Sequence, residues 1–211
     1  MMPRVFLCDF DGTVAPSDIG AAFARAFSPG GLAERPDFLA RWTRGEMGHR
    51  ELTRAQCEVM TVSEDRALAF TRDFAIDPAF APFVRAARAR GDEVTVVSEG
   101  FEFYVGDQLA RAGLADVSFS ANRLRFAGDR LTPEFSDGGC GSCGNCKGRH
   151  VRDWRARRFT TVLIGDGLSD RCGAREADVV YARRDLLAWC RGEGLAATPF
   201  DSFADLLAAA A

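Results

Sequence analysis

Residues 4–13 read RVFLCDFDGT. The first five are mostly apolar and run into a glycine turn, which predicts a short buried strand with Asp9 just beyond its end. Asp9 and Asp11 stand two residues apart at that tip. Three further apolar runs follow: EVTVVSEG at 93–100, FTTVLIGDG at 159–167 and, more weakly, ADVVYA at 177–182. Helical patterns lie between and after them, at 83–91, 101–113, 171–177, 186–194 and 203–211, and the first two stop at a glycine. Strands alternating with helices predict an α/β fold: a Rossmann-like, doubly wound parallel sheet with helices on both faces.

Residues 15–78 break this rhythm. They hold no convincing strand and read as helices at about 18–27, 35–44, 48–60 and 64–73, interrupted by SPGG at 28–31 and by Gly45. The expected organisation is a core of residues 1–14 and 79–211 with a helical cap inserted at 15–78. Residues 117–136 alternate partially around Gly128-Asp129, which predicts a short β excursion. The stretch GGCGSCGNCKG at 138–148 reads as a loop.

A chain of 211 residues with 47% apolar and 27% charged residues fits one folded domain with a modest insertion. A net charge of −3 argues against a general nucleic-acid binder. No apolar run approaches the length of a membrane span. The N-terminus MMPRVFLCDFDG lacks a long apolar region followed by a cleavage site, so no secretory signal is expected. Seven cysteines, an odd number, predict reduced thiols in a cytoplasmic protein.

Phosphate ester hydrolysis needs a nucleophile, an acid for the leaving oxygen and positive charge around the phosphoryl group. Candidates for each fall at strand ends, where open α/β sheets place their sites. Asp9 and Asp11 offer nucleophile and acid, or simply a turn. Ser98, with the backbone N–H groups of Glu99 and Gly100, offers a phosphate cradle, or Ser98 caps the following helix. Asp166 and Asp170 in GDGLSD complete an oxygen-rich pocket suited to Mg2+, or cap a helix. Lys147 stands in a loop ahead of a helix, where a solvated lysine is the ordinary reading. Asp18 is either a substrate contact or a helix N-cap. Arg41, Trp42, Arg44 and Arg50 offer cap contacts to a substrate, or read, as they ordinarily would, as solvated arginines and a core tryptophan. The basic run RHVRDWRARR at 149–158 reads as an amphipathic helix with a solvated arginine face.

Taken together and in this order, DFDGT, Ser98, Lys147 and GDGLSD resemble the four-part pattern of the haloacid dehalogenase superfamily of phosphatases. The resemblance spans the chain. It implies that Asp9 forms an aspartyl-phosphate and that Asp11 is the general acid and base. It implies that Ser98 and Lys147 hold phosphoryl oxygens. Asp166, the Asp9 carboxylate and the Asp11 main-chain carbonyl would bind Mg2+, with Asp170 supporting the metal shell. Residues 15–78 resemble the superfamily's small helical C1-type cap. SEGFEFYV at 98–105, CK at 146–147, YARRDLLAWC from 181 and TPFDSFADL from 198 are similar to methionine-salvage enol-phosphate phosphatases. Phosphoethanolamine/phosphocholine and phosphoserine phosphatases share the layout. Those relatives commonly carry glycine where this chain has Glu99, and an inward carboxylate there would repel phosphate. The partner implied is a small phosphorylated metabolite, with no nucleic acid or membrane, bound by a monomer or homodimer. The rival expectations are a non-catalytic phospholigand-binding module on the same fold and phosphoryl transfer to an acceptor other than water.

Cys140, Cys143 and Cys146 have C-x2-C-x2-C spacing, and His150 follows four residues later. Three thiolates and an imidazole make a tetrahedral set for structural Zn2+. The alternatives are an iron–sulfur site, where cysteines also occur at this spacing, and reduced thiols packing a glycine-rich loop. Cys8 reads as a small buried hydrophobe.

Overall fold

The computed structural model describes residues 3–28, 37–136 and 139–209. Its sheet has seven strands in the order β4-β3-β2-β1-β5-β6-β7: β1 (Arg4–Cys8), β2 (Glu93–Phe101), β3 (Ser118–Ala127), β4 (Arg130–Glu134), β5 (Thr160–Gly165), β6 (Val179–Ala182) and β7 (Thr198–Pro199). All neighbours are parallel except β3 and β4, which form an antiparallel hairpin around Gly128-Asp129. The excursion expected at 117–136 is therefore the sheet's edge. The two residues of β7 are too few to leave a pattern in the sequence.

Chain order runs outward from β1 in one direction through β2 and β3, then returns to β1 and runs the other way through β5, β6 and β7. β1 thus lies at the topological switch point, where such sheets open a crevice at their C-terminal ends. The register pairs Cys8 with Val96 and with Ile164, so Asp9 emerges between the ends of β2 and β5.

Alternation along β1 divides the core. Phe6 and Cys8 pack on one face with Phe80 and Phe83 of α5 (Phe80–Ala89) and Phe203 of α10 (Phe203–Ala209). Val5 and Leu7 pack on the other with Val151 of α7 (Lys147–Ala156), Ala174 of α8 (Arg171–Glu176), and Leu186 and Cys190 of α9 (Arg184–Gly192). Both faces are covered, as a parallel sheet requires. Burial raises the Cys8 thiol pKa, in keeping with a core residue. On α7, Val151 is buried while Arg152, Arg155, Arg157 and Arg158 are exposed at or beyond its end, so the basic run is a solvated face.

Between β1 and α5 lie α1 (Ile19–Ala26), α2 (Asp37–Thr43), α3 (His49–Val59) and α4 (Glu64–Thr71) among the described residues. Residues 29–31 of the SPGG break, residues 35–36 of the helix expected at 35–44, residue 138 of the expected loop and residues 210–211 of the last helix lie outside the described residues. Phe23, Cys57, Met60 and Ala67 belong to the same apolar cluster as Phe6 and Phe80, so this segment shares the core of the sheet's face. α6 (Glu102–Arg111) follows β2 directly. Among the described residues no helix is long and apolar enough to cross a membrane.

Candidate active site

The turn after β1 is set by Gly12, whose φ is +81°; a β-carbon there would meet Asp166 Oδ2 at 2.3 Å. Asp9, Asp166 and Asp170 thereby converge, with carboxylate oxygens all within 4.8 Å of one another. Lys147, fully buried, donates to Asp9 Oδ1 and to Asp170 Oδ1. It is the first residue of α7 rather than part of a loop, and its ammonium bridges two carboxylates. Burial alone would lower its pKa, but the charges of Asp170 and Asp9 prevail and raise it. Burial and the neighbouring Asp170 hold the Asp9 carboxyl well above the ordinary range, with Lys147 acting against them.

Asp170 is spent on support. Its Oδ1 takes Lys147, and its Oδ2 accepts the N–H groups of Asp166 (3.0 Å) and Gly167 (2.9 Å), fixing the turn that presents Asp166. Asp166 accepts from Thr13 Oγ1 at 3.1 Å and from Arg184 at 3.1 Å. Burial and Asp170 raise its pKa as well. These crowded carboxylates, balanced by the Lys147 ammonium and, at Asp166, by Arg184, form an all-oxygen set that fits Mg2+.

Asp11 hangs on the start of α1. Its Oδ1 accepts the N–H groups of Ile19 (2.9 Å) and Gly20 (3.2 Å), and its Oδ2 takes the Tyr104 hydroxyl at 2.6 Å. Burial, reinforced by the charge of Asp18, pushes its carboxyl up to about 7 against those hydrogen bonds. Gly100 makes room for this pair, since a β-carbon there would meet the Tyr104 hydroxyl at 1.7 Å. Asp18 N-caps α1, accepting from Ala21 N at 2.7 Å, and also lines the cavity above the site.

Two readings of the β2 end are corrected. Ser98 does not end the strand, because β2 continues to Phe101 with a register irregularity against β3. Nor does it cap α6, whose N-cap is Phe101; its hydroxyl accepts the Gly100 N–H at 2.9 Å. The Glu99 carboxylate is engaged with the cysteine loop. Its Oε2 accepts from Gly144 N (2.8 Å) and Asn145 N (3.2 Å) and pairs with His49 Nδ1 at 2.9 Å. Burial opposes its ionisation, but His49, Lys147 and the Asn145 N–H keep its pKa below the ordinary value. The repulsion expected of a carboxylate here is thus offset by three donors.

A cavity of about 350 Å³ opens over Asp9, Asp11 and Asp166. Its roof comes from 15–78 and is largely apolar, with Phe23, Leu52, Cys57 and Met60. Trp42 lines it half-buried, in the position of a cap contact rather than of a core tryptophan. Arg44 is exposed and paired with Glu46, as a solvated arginine should be. Arg50 is not: it donates to the Cys143 carbonyl at 2.6 Å and to the Ser136 carbonyl, tying α3 to the cysteine loop.

The set Cys140, Cys143, Cys146 and His150 is also corrected. His150 lies within α7, and its Nε2 meets Asn145 Oδ1 at 2.7 Å. Burial and Arg149 push it down to about 4, so it is neutral. The fourth group beside the three cysteines is Cys172, from α8. Sequence reasoning also missed Tyr104, Arg183 and Arg184. Arg183 donates to the Gly12 carbonyl and braces the turn after β1. A buried tyrosine hydroxyl requires a partner, but nothing local names Asp11 as that partner.

A family model described as haloacid dehalogenase-like hydrolase matches residues 6–175. A 2-hydroxy-3-keto-5-methylthiopentenyl-1-phosphate phosphatase of Brevibacillus brevis is 31% identical over 210 residues, covering 96% of this chain and 93% of that protein. One from an Exiguobacterium species is 30% identical over 208 residues, covering 96% and 94%. In fold, the chain is similar to a phospho-aspartyl intermediate analogue of phosphoserine phosphatase, with a TM-score of 0.75 and 19% identity over 99% of both chains.

Proposed function

The chain belongs to the family of haloacid dehalogenase-like hydrolases, and on that premise we propose that it is a cytoplasmic, magnesium-dependent phosphomonoester hydrolase acting on 2-hydroxy-3-keto-5-methylthiopentenyl-1-phosphate. The observation that carries the reaction class is the convergence of Asp9, Asp166, Asp170 and Lys147 beneath the cavity, with Asp11 held beside them. Residues 15–78 serve as the cap that encloses the leaving group.

Asp9 attacks phosphorus, and the ester P–O bond breaks as Asp11 gives its proton to the leaving oxygen. Asp11, now a carboxylate, takes a proton from water, whose oxygen attacks phosphorus and releases phosphate from Asp9. Lys147 keeps Asp9 oriented and offsets phosphoryl charge, and the Ser98 hydroxyl, oriented by the Gly100 N–H it accepts, and the Glu99 N–H receive phosphoryl oxygens. Mg2+, held by the carboxylates of Asp9 and Asp166 and the Asp11 main-chain carbonyl, would supply charge neutralisation and alignment of the phosphoryl group.

The apolar roof supports a methylthio-bearing leaving group. The basic side chains lining the cavity among the described residues, His49 and Arg184, already pair with Glu99 and Asp166. A phosphoserine carboxylate would compete for them. Asp18 at the cavity wall favours a second reading, an ammonium-bearing substrate such as phosphoethanolamine or phosphocholine. Phosphate release from these compounds and from the enol phosphate, with Mg2+ and with chelator, tests both. The expected result is chelator-sensitive turnover with kcat/KM highest on the enol phosphate. Preference for an amine would transfer the assignment to the second reading. A folded protein inert toward all of them would favour a binding module.

The role of Asp11 carries its own test. If Asp11 must be protonated in the free enzyme, kcat/KM falls as pH rises through about 7. Asp18→Asn keeps the N-cap but removes a like charge, so the Asp11 pKa drops and the basic limb moves to lower pH. Tyr104→Phe removes a hydrogen bond that favours the carboxylate, so the limb moves to higher pH. Displacement of both variants in the same direction would assign the limb to another group.

A further inference from the structure

Four thiols that take no part in this chemistry meet behind the site. Cys140, Cys143 and Cys146 come from the loop ahead of α7, and Cys172 is the second residue of α8. Their sulfurs all lie within 4.8 Å of one another, with Cys140 to Cys143 at 3.3 Å and Cys143 to Cys172 at 3.9 Å. A disulfide would bring two sulfurs to about 2.05 Å, and all seven cysteines are free. A tetrahedral ion bonded to four sulfurs at about 2.3 Å sets them about 3.8 Å apart, between these two separations. A four-iron cluster attaches each cysteine to a different iron and so spreads them wider than one ion does. The Cys143 N–H donates to Cys140 Sγ at 3.4 Å, the kind of contact that supports a thiolate.

We propose that Cys140, Cys143, Cys146 and Cys172 bind one structural zinc ion. Soft thiolates select zinc, while the oxygen set around Asp9 suits Mg2+, so the two sites sort their metals by ligand chemistry. The ion joins two segments that meet at Lys147. Cys146 directly precedes Lys147, and Cys172 lies two residues beyond Asp170, one of the carboxylates that Lys147 bridges. The same loop presents the Gly144 and Asn145 N–H groups to Glu99 and the Cys143 carbonyl to Arg50 of α3. Zinc therefore holds the lysine helix and the cap's footing in place and touches no reacting atom.

The test reads metal, independently of turnover. Protein purified under reducing conditions, without chelator or added metal, should contain one equivalent of zinc by elemental analysis. Its zinc X-ray absorption should report four sulfurs at about 2.3 Å. Cys172→Ser should lose at least nine-tenths of the zinc, whereas His150→Ala should keep all of it, with circular dichroism confirming that each is folded. If Cys172→Ser does not fold, the absorption spectrum of the unmodified protein decides. A shell of three sulfurs and one nitrogen, iron with acid-labile sulfide, a Cys140–Cys143 disulfide, or metal-free protein with four reactive thiols would each overturn the proposal.

Discussion

Asp9→Asn should abolish turnover while leaving the protein folded. Under the proposed mechanism this carboxylate attacks phosphorus, and an amide in its place is far too weak a nucleophile. Removing the nucleophile of a serine hydrolase costs on the order of 10⁶-fold in kcat. The fold should survive, because asparagine matches the volume of aspartate at the end of β1 and the Asp9 N–H still reaches the Ile164 carbonyl at 2.9 Å. The substitution removes one carboxylate from a cluster whose members already raise one another's pKa. Unfolding midpoints should accordingly stay close to the parent value. Single-turnover experiments with acid quench provide the sharper measurement: the parent should accumulate phosphate label on protein, and Asp9→Asn should show none. Label retained at parent stoichiometry, or turnover persisting in a preparation free of contaminating phosphatase, would remove Asp9 from the role of nucleophile.

Local pattern carried the fold further than it carried the site. The strand–turn of RVFLCDFDGT and the βα alternation predict the parallel sheet because each element's signal is contained within its own few residues. Side chains that meet only through tertiary approach leave no such trace. Cys172 sits 26 residues beyond Cys146 and joins it because α7 and α8 pack side by side; spacing alone pointed to His150, which the helix turns toward Asn145. Trp42 looks like a core residue by type, and only the fold of 15–78 brings it to the cavity. Lys147 was locally an ordinary lysine, singled out by order and resemblance; that it is fully buried between two carboxylates emerges only from the structure. Glu99 was the apparent departure from the family pattern, and the compensating donors, His49 and the 144–145 backbone, come from segments no local reading could join to it.

Lys147→Met should cost both activity and stability, and pH separates the two. Under the proposed mechanism the ammonium offsets charge at the phosphoryl site, and losing such a preorganised group typically lowers kcat by about 10²- to 10³-fold. It also neutralises a buried cluster, and removing one partner of a buried ion pair destabilises by about 3–5 kcal/mol. For a chain of this size that corresponds to a drop in Tm of roughly 10 °C. Methionine fills nearly the same volume, so the loss reflects charge rather than a void. In the variant, Asp9 and Asp170 face each other unpaired, and the folded-state pKa of Asp9, already high, rises further. A carboxyl with a folded pKa above its unfolded value binds more protons when folded, so its contribution is fully present below the unfolded pKa and is lost as pH rises through the folded one. The stability gap between parent and Lys147→Met should therefore be small near pH 4 and widen toward neutrality, where it can be followed by thermal melts without substrate. A gap constant across that range would mean that Lys147 contributes packing alone. A gap that widens while kcat is unaffected would leave the lysine a structural counter-ion and remove it from catalysis.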